Sequence, residues 1–86
     1  MKILVACEES QAVTKELRAL GHQAYSCDLL PCSGGHPEWH FNVDVFEIIK
    51  NKGGVLQNGH EVFVSNWNMM IAHPPCTHIA VSGASW

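Results

Sequence analysis

Charge is the scarcest property of this sequence. Asp, Glu, Lys and Arg together make up 15% of the 86 residues, against about a quarter in an average soluble protein. Basic residues are scarcer still: five Lys and Arg stand against eight Asp and Glu, a formal charge of −3. A protein that grips nucleic acid by its phosphates needs a basic footprint, so any DNA contact here would have to be made without a basic patch. Long apolar runs are also missing. The run Ile3 to Ala6 stops at Cys7, Glu8 and Glu9, too short for a signal-peptide core or a membrane span. These absences predict a cytoplasmic, non-membrane protein whose thiols stay reduced, so the four cysteines are not read as a disulfide framework. Repeats and low-complexity segments are absent, and a chain of 86 residues has room for one core, giving a single domain over 1–86.

Strands and helices alternate along the chain. Ile3 to Ala6 is the continuous apolar run of a central parallel strand covered on both faces. Ser10 is placed to cap a helix with Ala12, Val13, Leu17 and Leu20 inward, closed by Gly21. Gln23 to Cys27 reads as a second strand, completing a βαβ unit. Leu29 to Asn42 is rich in proline and glycine and reads as a long loop, a length usually kept for function. Val43 to Lys52 predicts a helix with Val45, Phe46, Ile48 and Ile49 inward, ended by Gly53-Gly54. Asn58-Gly59 between Val55-Leu56 and Glu61 to Val64 predicts a β-hairpin inserted in the α/β core. Met69 to Ala72 reads as a buried strand that stops before Pro74-Pro75. The final segment is half apolar and ends on Trp86, so the chain is expected to be truncated relative to a complete α/β domain, leaving an open sheet edge for a protein partner or a second copy.

Three places carry candidate chemistry. Cys7-Glu8-Glu9-Ser10 joins a strand to a helix, where backbone N–H groups meet ligands. Asp28, 21 residues beyond Cys7, is where a carboxylate grips ribose hydroxyls. That loop has no glycine, and its plainer reading makes Ser10 a cap and Asp28 a turn residue. Cys76 follows a rigid Pro-Pro turn with His73 and His78 nearby, an arrangement suited to a nucleophilic thiolate or, equally, to a small buried cysteine. Cys27, Cys32, His36 and His40 follow a C-x₄-C-x₃-H-x₃-H spacing that could hold zinc, although the spacing matches no usual finger pattern and zinc is not the expected cofactor. The three tryptophans read as core or lid residues.

Val5-Ala6-Cys7-Glu8-x-Ser10, Gly21-His22-x-Ala24-x-Ser26-Cys27-Asp28-Leu29-Leu30-Pro31, His36-Pro37-Glu38-Trp39-His40 and Ile71-Ala72-His73-Pro74-Pro75-Cys76-Thr77 together resemble the amino-terminal part of phage and prophage DNA (cytosine-5) methyltransferase-like proteins. The resemblance implies a truncated Rossmann-like, methyltransferase-type three-layer α/β fold with a short, mostly parallel sheet. It also implies S-adenosylmethionine as cofactor, in a cytoplasmic protein of a bacterial host. It places Cys7, Glu8 and Ser10 in the first cofactor loop, Asp28 at the ribose, Asp44 near the adenine, and Pro74 in the loop that presents Cys76. The Cys76 thiolate would add to C6 of a flipped cytosine, with His73 beside it. In such a fold the strand ending at Ala72 lies beside the one ending at Ala6, opposite the one ending at Cys27. Gln11 stands where the family often has glycine, and Asn68 where it often has aspartate. The later glutamate and arginine that complete the family's site lie beyond anything in this chain, which makes it incomplete for catalysis. The contrasting expectation is a non-catalytic small phage protein that binds and inhibits a host defence protein through its open edge.

Overall fold

Ile3, Leu4, Val5 and Ala6 are each exposed by 1% or less, and this continuous burial comes from a strand lined on both sides and covered on both faces. In the computed structural model, which describes residues 1–72, β1 (Lys2–Ala6) pairs in parallel with β2 (Gln23–Cys27) on one side and with β6 (Met69–Ala72) on the other. A short β3 (His40–Phe41) adds to β2, giving the all-parallel order β3-β2-β1-β6. Side chains alternate between the faces. Ile3, Val5 and Ala24 pack under Val13 and Leu17 of α1 (Ala12–Ala19). Leu4, Ala6, Cys27 and Phe41 pack with Val45, Ile48 and Leu56 on the opposite face, against α2 (Val45–Asn51).

The first helix ends as the sequence predicts and begins differently. Gly21 takes φ +94°, its N–H bonds Arg18 O, and His22 N–H bonds Leu17 O, the two bonds of a Schellman ending. At the other end Ser10 is exposed, and it is the Glu8 carboxylate that accepts from Val13 N at 2.9 Å, Thr14 N at 2.8 Å and Thr14 Oγ1 at 2.7 Å. Glu8 does the work expected of Ser10 because Gln11 turns into the left-handed region, φ 60°, and brings the helix start back over the tip of β1. Leu20, expected inward, is 74% exposed. It sits at the helix end, where the chain has already turned towards β2.

The stretch expected to be one long loop contains a 3-10 turn (Pro37–Trp39) and β3. Its anchor is Gln11, fully buried. Gln11 Oε1 accepts from His36 N (3.0 Å), while Nε2 donates to His36 O (2.8 Å) and Ser26 Oγ (3.1 Å). Ser26 Oγ in turn meets His40 Nδ1 at 2.7 Å, and His40 Nε2 meets Leu30 O at 2.9 Å. These buried polar groups satisfy one another, so a segment with little apolar content is held against the sheet.

Asp44 caps α2 by accepting from Phe46 N. The helix buries Val45 and Ile48 only: Phe46 and Ile49, expected inward, are 60% and 41% exposed. Lys52, in the left-handed region, ends it rather than the two glycines, which belong to β4 (Gly53–Val55) of an antiparallel hairpin with β5 (Glu61–Phe63). Gly53 is required there, since its φ is +145° and a Cβ would collide with Val62 O. The Asn58-Gly59 turn forms as predicted, with Leu56 N bonded to His60 O and Gly59 N to Leu56 O. Met69 and Met70, expected buried, are 44% and 37% exposed, because β6 is the sheet edge among the described residues. No helix among the described residues is long and apolar enough to cross a membrane.

Candidate functional site at the strand tips

Parallel strands end together, so β1, β2, β3 and β6 deliver Cys7, Asp28, Asn42 and Ala72 to one end of the sheet. Register puts Ala6 level with both Cys27 and Ala72. The chain leaves β1 towards β2 and β3, then returns to β6 on β1's other flank. This change of direction is the place where α/β sheets open a crevice beyond the strand ends.

The two aspartates of interest stand at this rim, both half-buried. Asp28 Oδ1 accepts from Leu30 N at 2.9 Å, an Asx turn, and Asp44 Oδ1 accepts from Phe46 N at 2.9 Å. Each keeps its second carboxylate oxygen without a partner among the described residues. Both lie close enough to Cys27 to act on its thiol, whose pKa is pushed up to about 12 by burial first and then by the Asp28 and Asp44 charges. Cys27 donates to Val43 O and is a neutral, unreactive thiol at physiological pH. A rim of two carboxylate oxygens accepts hydroxyl or amine donors and repels phosphate.

Of the expected first-loop residues, Cys7 sits at the tip of β1 with φ 59°, a conformation seldom adopted by a side-chain-bearing residue. Cys27 and Cys32 are free thiols. Glu8 is 3% exposed and its carboxylate faces the helix start, so it acts as a cap and two of the first N–H groups of α1 are already taken. Ser10 is exposed, but Ser33 lies on Glu9 by side chain and backbone. A Cβ on Gly34 would collide with Ser10 O and Gln11. The segment after β2 therefore leans on the first loop. His73, Pro74 and Cys76 lie outside the described residues.

The four residues with metal-ligand spacing do not converge. Ser26 pairs with His40 and Cys27 with Phe41, which puts Cys27 and His40 on opposite faces of the sheet. Both His40 nitrogens are engaged, His36 Nδ1 is held by Glu38 at 2.8 Å, and Cys32 lies near the hairpin turn, its N–H on Gln57 Oε1. No group of three potential ligands occurs among the described residues.

Sequence reasoning missed the Gln11–Ser26–His40 network and the capping role of Glu8, neither of which has a local signature. It also missed a groove beside α1. A signal for that one existed: Lys15 and Arg18 are three apart on a helix and share a face.

The architecture defines a small mixed α/β domain with a four-stranded parallel sheet and an antiparallel two-stranded hairpin. Compared with known protein families, curated proteins and solved structures, the chain matches none.

Proposed function

We propose that the chain is the amino-terminal, S-adenosylmethionine-binding-type domain of a phage DNA cytosine methyltransferase-like protein, incomplete for catalysis without further chain or a partner. The observation that carries this reading is the strand order, with β1 and β6 tips level at Ala6 and Ala72 and the Asp28 carboxylate at the neighbouring tip of β2. Rossmann-like methyltransferases use that place for their cofactor. The free oxygen of Asp28 suits a ribose hydroxyl, and Asp44 stands one strand further out, on the side where an adenine would lie. The methionine end of the cofactor would meet Cys7 and Ser10. Glu8 has already engaged Val13 N and Thr14 N, so a carboxylate would find fewer N–H donors at α1 than in an uncapped helix. Bound there, the cofactor supplies an electrophilic methyl group. Pro74 would stiffen the loop of Cys76, whose thiolate would add to C6 of cytosine and raise electron density at C5, with His73 as the cation that favours the thiolate.

Isothermal titration with S-adenosylmethionine tests the reading. Saturable binding is expected for the parent and for Cys76→Ser, and a loss of about tenfold or more for Asp28→Ala, the value of one good hydrogen bond to a charged group. A folded protein that releases no heat refutes it.

A second reading is favoured by the edge strand. Met69 and Met70 are exposed on β6, whose outer backbone groups face no strand among the described residues. Such an edge pairs readily with another chain, as a non-catalytic phage protein would do to occupy a host defence protein or a second copy of itself. A stoichiometric host partner recovered by pull-down, lost on Met70→Lys and accompanied by no cofactor binding, would favour this reading over the first.

A further inference from the structure

We propose that a groove on the flank of α1, away from the strand tips, binds the phosphate of a nucleotide-sized ligand. The groove has a volume of about 550 Å³ and is lined by Lys15, Arg18, Ala19, Gly21, His22, His36 and Trp39. Its size suits such a ligand. Because α1 runs back from the end of β1 to the start of β2, the groove lies towards the opposite end of the sheet from Asp28 and Asp44. The inference therefore does not depend on the proposed function.

Two of the chain's five Lys and Arg line this one groove, together with two of its six histidines. The scarcity of basic residues along the sequence thus conceals a local concentration. Arg18 is the centre of it. β3 begins only opposite Ser26, which leaves Ala24 O at an open edge of β2, and Arg18 Nε donates to that carbonyl at 2.7 Å. The guanidinium carbon lies 4.3 Å from the centre of the Trp39 ring and 4.8 Å from that of Tyr25, while His36 stacks on Trp39 at 3.9 Å and 11°. Aromatic contacts and the Nε bond hold the fork in one orientation before any ligand arrives, which reduces the entropy lost on binding.

Arg18 forms no salt bridge among the described residues. Among the described residues the only side-chain ion pair joins His36 to Glu38; Glu38, whose pKa is lowered first by the His36 hydrogen bond and to a lesser extent by the Arg18 charge, is within the field of the guanidinium without bonding to it. The terminal amino groups of Arg18 have no acceptor among the described residues. Lys15 is exposed one turn earlier on the helix, and the protein's amino terminus lies 3.4 Å from His22 Nδ1. A half-buried, oriented guanidinium that forms no salt bridge among the described residues and is flanked by a lysine matches a phosphate, whose oxygens accept two parallel N–H bonds. Trp39 is already stacked on His36 and in contact with the Arg18 guanidinium, so the ligand's recognised part is the phosphate rather than a ring stacked on the indole.

The test is nuclear magnetic resonance titration of the whole chain with adenosine 5′-monophosphate, adenosine, inorganic phosphate and a short single-stranded oligodeoxynucleotide. Saturable shifts are expected at Lys15, Arg18, His22 and the Trp39 indole with the monophosphate, with a Kd of order 10⁻⁴ to 10⁻³ M and at least tenfold weaker binding of adenosine. Lys15→Glu, an exposed substitution, should weaken binding by about tenfold, Arg18→Lys should also weaken it by losing the fork, and Lys50→Glu on α2 should leave it unchanged. Binding of the mononucleotide assigns the phosphate to a free nucleotide, and binding of the oligonucleotide alone assigns it to a polynucleotide backbone. Adenosine binding as tightly as the monophosphate, equal binding by Lys15→Glu, or no saturable shift with any of the phosphate-bearing probes would overturn the proposal.

Discussion

Replacing Glu8 by alanine removes one acceptor from three donors at once: the N–H groups of Val13 and Thr14 and the Thr14 hydroxyl, at 2.7 to 2.9 Å. Glu8 and Thr14 are both almost fully buried, so water cannot readily take the carboxylate's place. Loss of an ordinary N-cap costs about 0.5–2 kcal/mol, and a buried donor left unsatisfied adds about 1–3 kcal/mol. With partial relaxation the expected destabilisation is about 2–4 kcal/mol, a large part of the roughly 4–13 kcal/mol available to a domain of this size. It corresponds to a fall in Tm of roughly 10–20 °C. Glu8→Gln keeps one acceptor but directs an amide NH₂ at the donors, so its cost should be about half. Ser10→Ala, at the position where the sequence pattern places the cap, should stay within about 0.5 kcal/mol of the parent. Thermal and urea denaturation followed by far-ultraviolet circular dichroism measure all three. If Glu8→Ala unfolds with the parent, or Ser10→Ala costs more than Glu8→Ala, the assignment of the cap is wrong.

Three further predictions follow, two of them from the burial of Cys27. The Cys27 thiol ionises near its ordinary value of 9.0 in the unfolded chain but only at about 12 in the folded one. Stability is therefore unaffected by this group below about pH 9 and declines as pH rises from there towards 12, because the unfolded state releases its proton first. The difference in the pH slope of unfolding between the parent and Cys27→Ala isolates the effect. The same burial means that a thiol reagent at neutral pH should label Cys32 in the native protein and Cys27 only on unfolding. Trp67, set edge-on against Tyr25 and Phe41 at 6.1 and 6.3 Å, keeps its indole Nε1 buried without a partner among the described residues. Trp67→Phe relieves that unsatisfied donor while losing some packing, so a change within about 1 kcal/mol is expected, against 3–5 kcal/mol for Trp67→Ala. A loss on Trp67→Phe as large as that on Trp67→Ala would show that the N–H has a partner.

What could be read along the chain was local. Ile3 to Ala6 announces a two-sided strand because every residue is apolar, Gly21 announces a helix end because only glycine takes φ +94° without strain, and Asn58-Gly59 announces its turn by the same argument. The candidate site was legible in the same limited sense, as the strand-end positions of Cys7 and Asp28.

Periodicity assigned Phe46, Ile49 and Leu20 to the interior, and they are exposed, because which apolar stripe is buried depends on where neighbouring elements stop rather than on spacing. β3 was invisible because two residues, His40 and Phe41, carry no strand pattern and are held through the side chains of Gln11 and Ser26, each more than ten residues away. The sequence by itself determined the succession of strands and helices and the residues at their tips, since these depend on side-chain alternation and turn chemistry within a few positions. Only the tertiary structure decided that Glu8 caps a helix, that the ligand-spaced cysteines and histidines stand apart on two faces, and that Arg18 reaches around an open sheet edge to stand among aromatic rings. Hydrogen bonds and charges act through space, and the distances that set their strength exist only once the chain has closed.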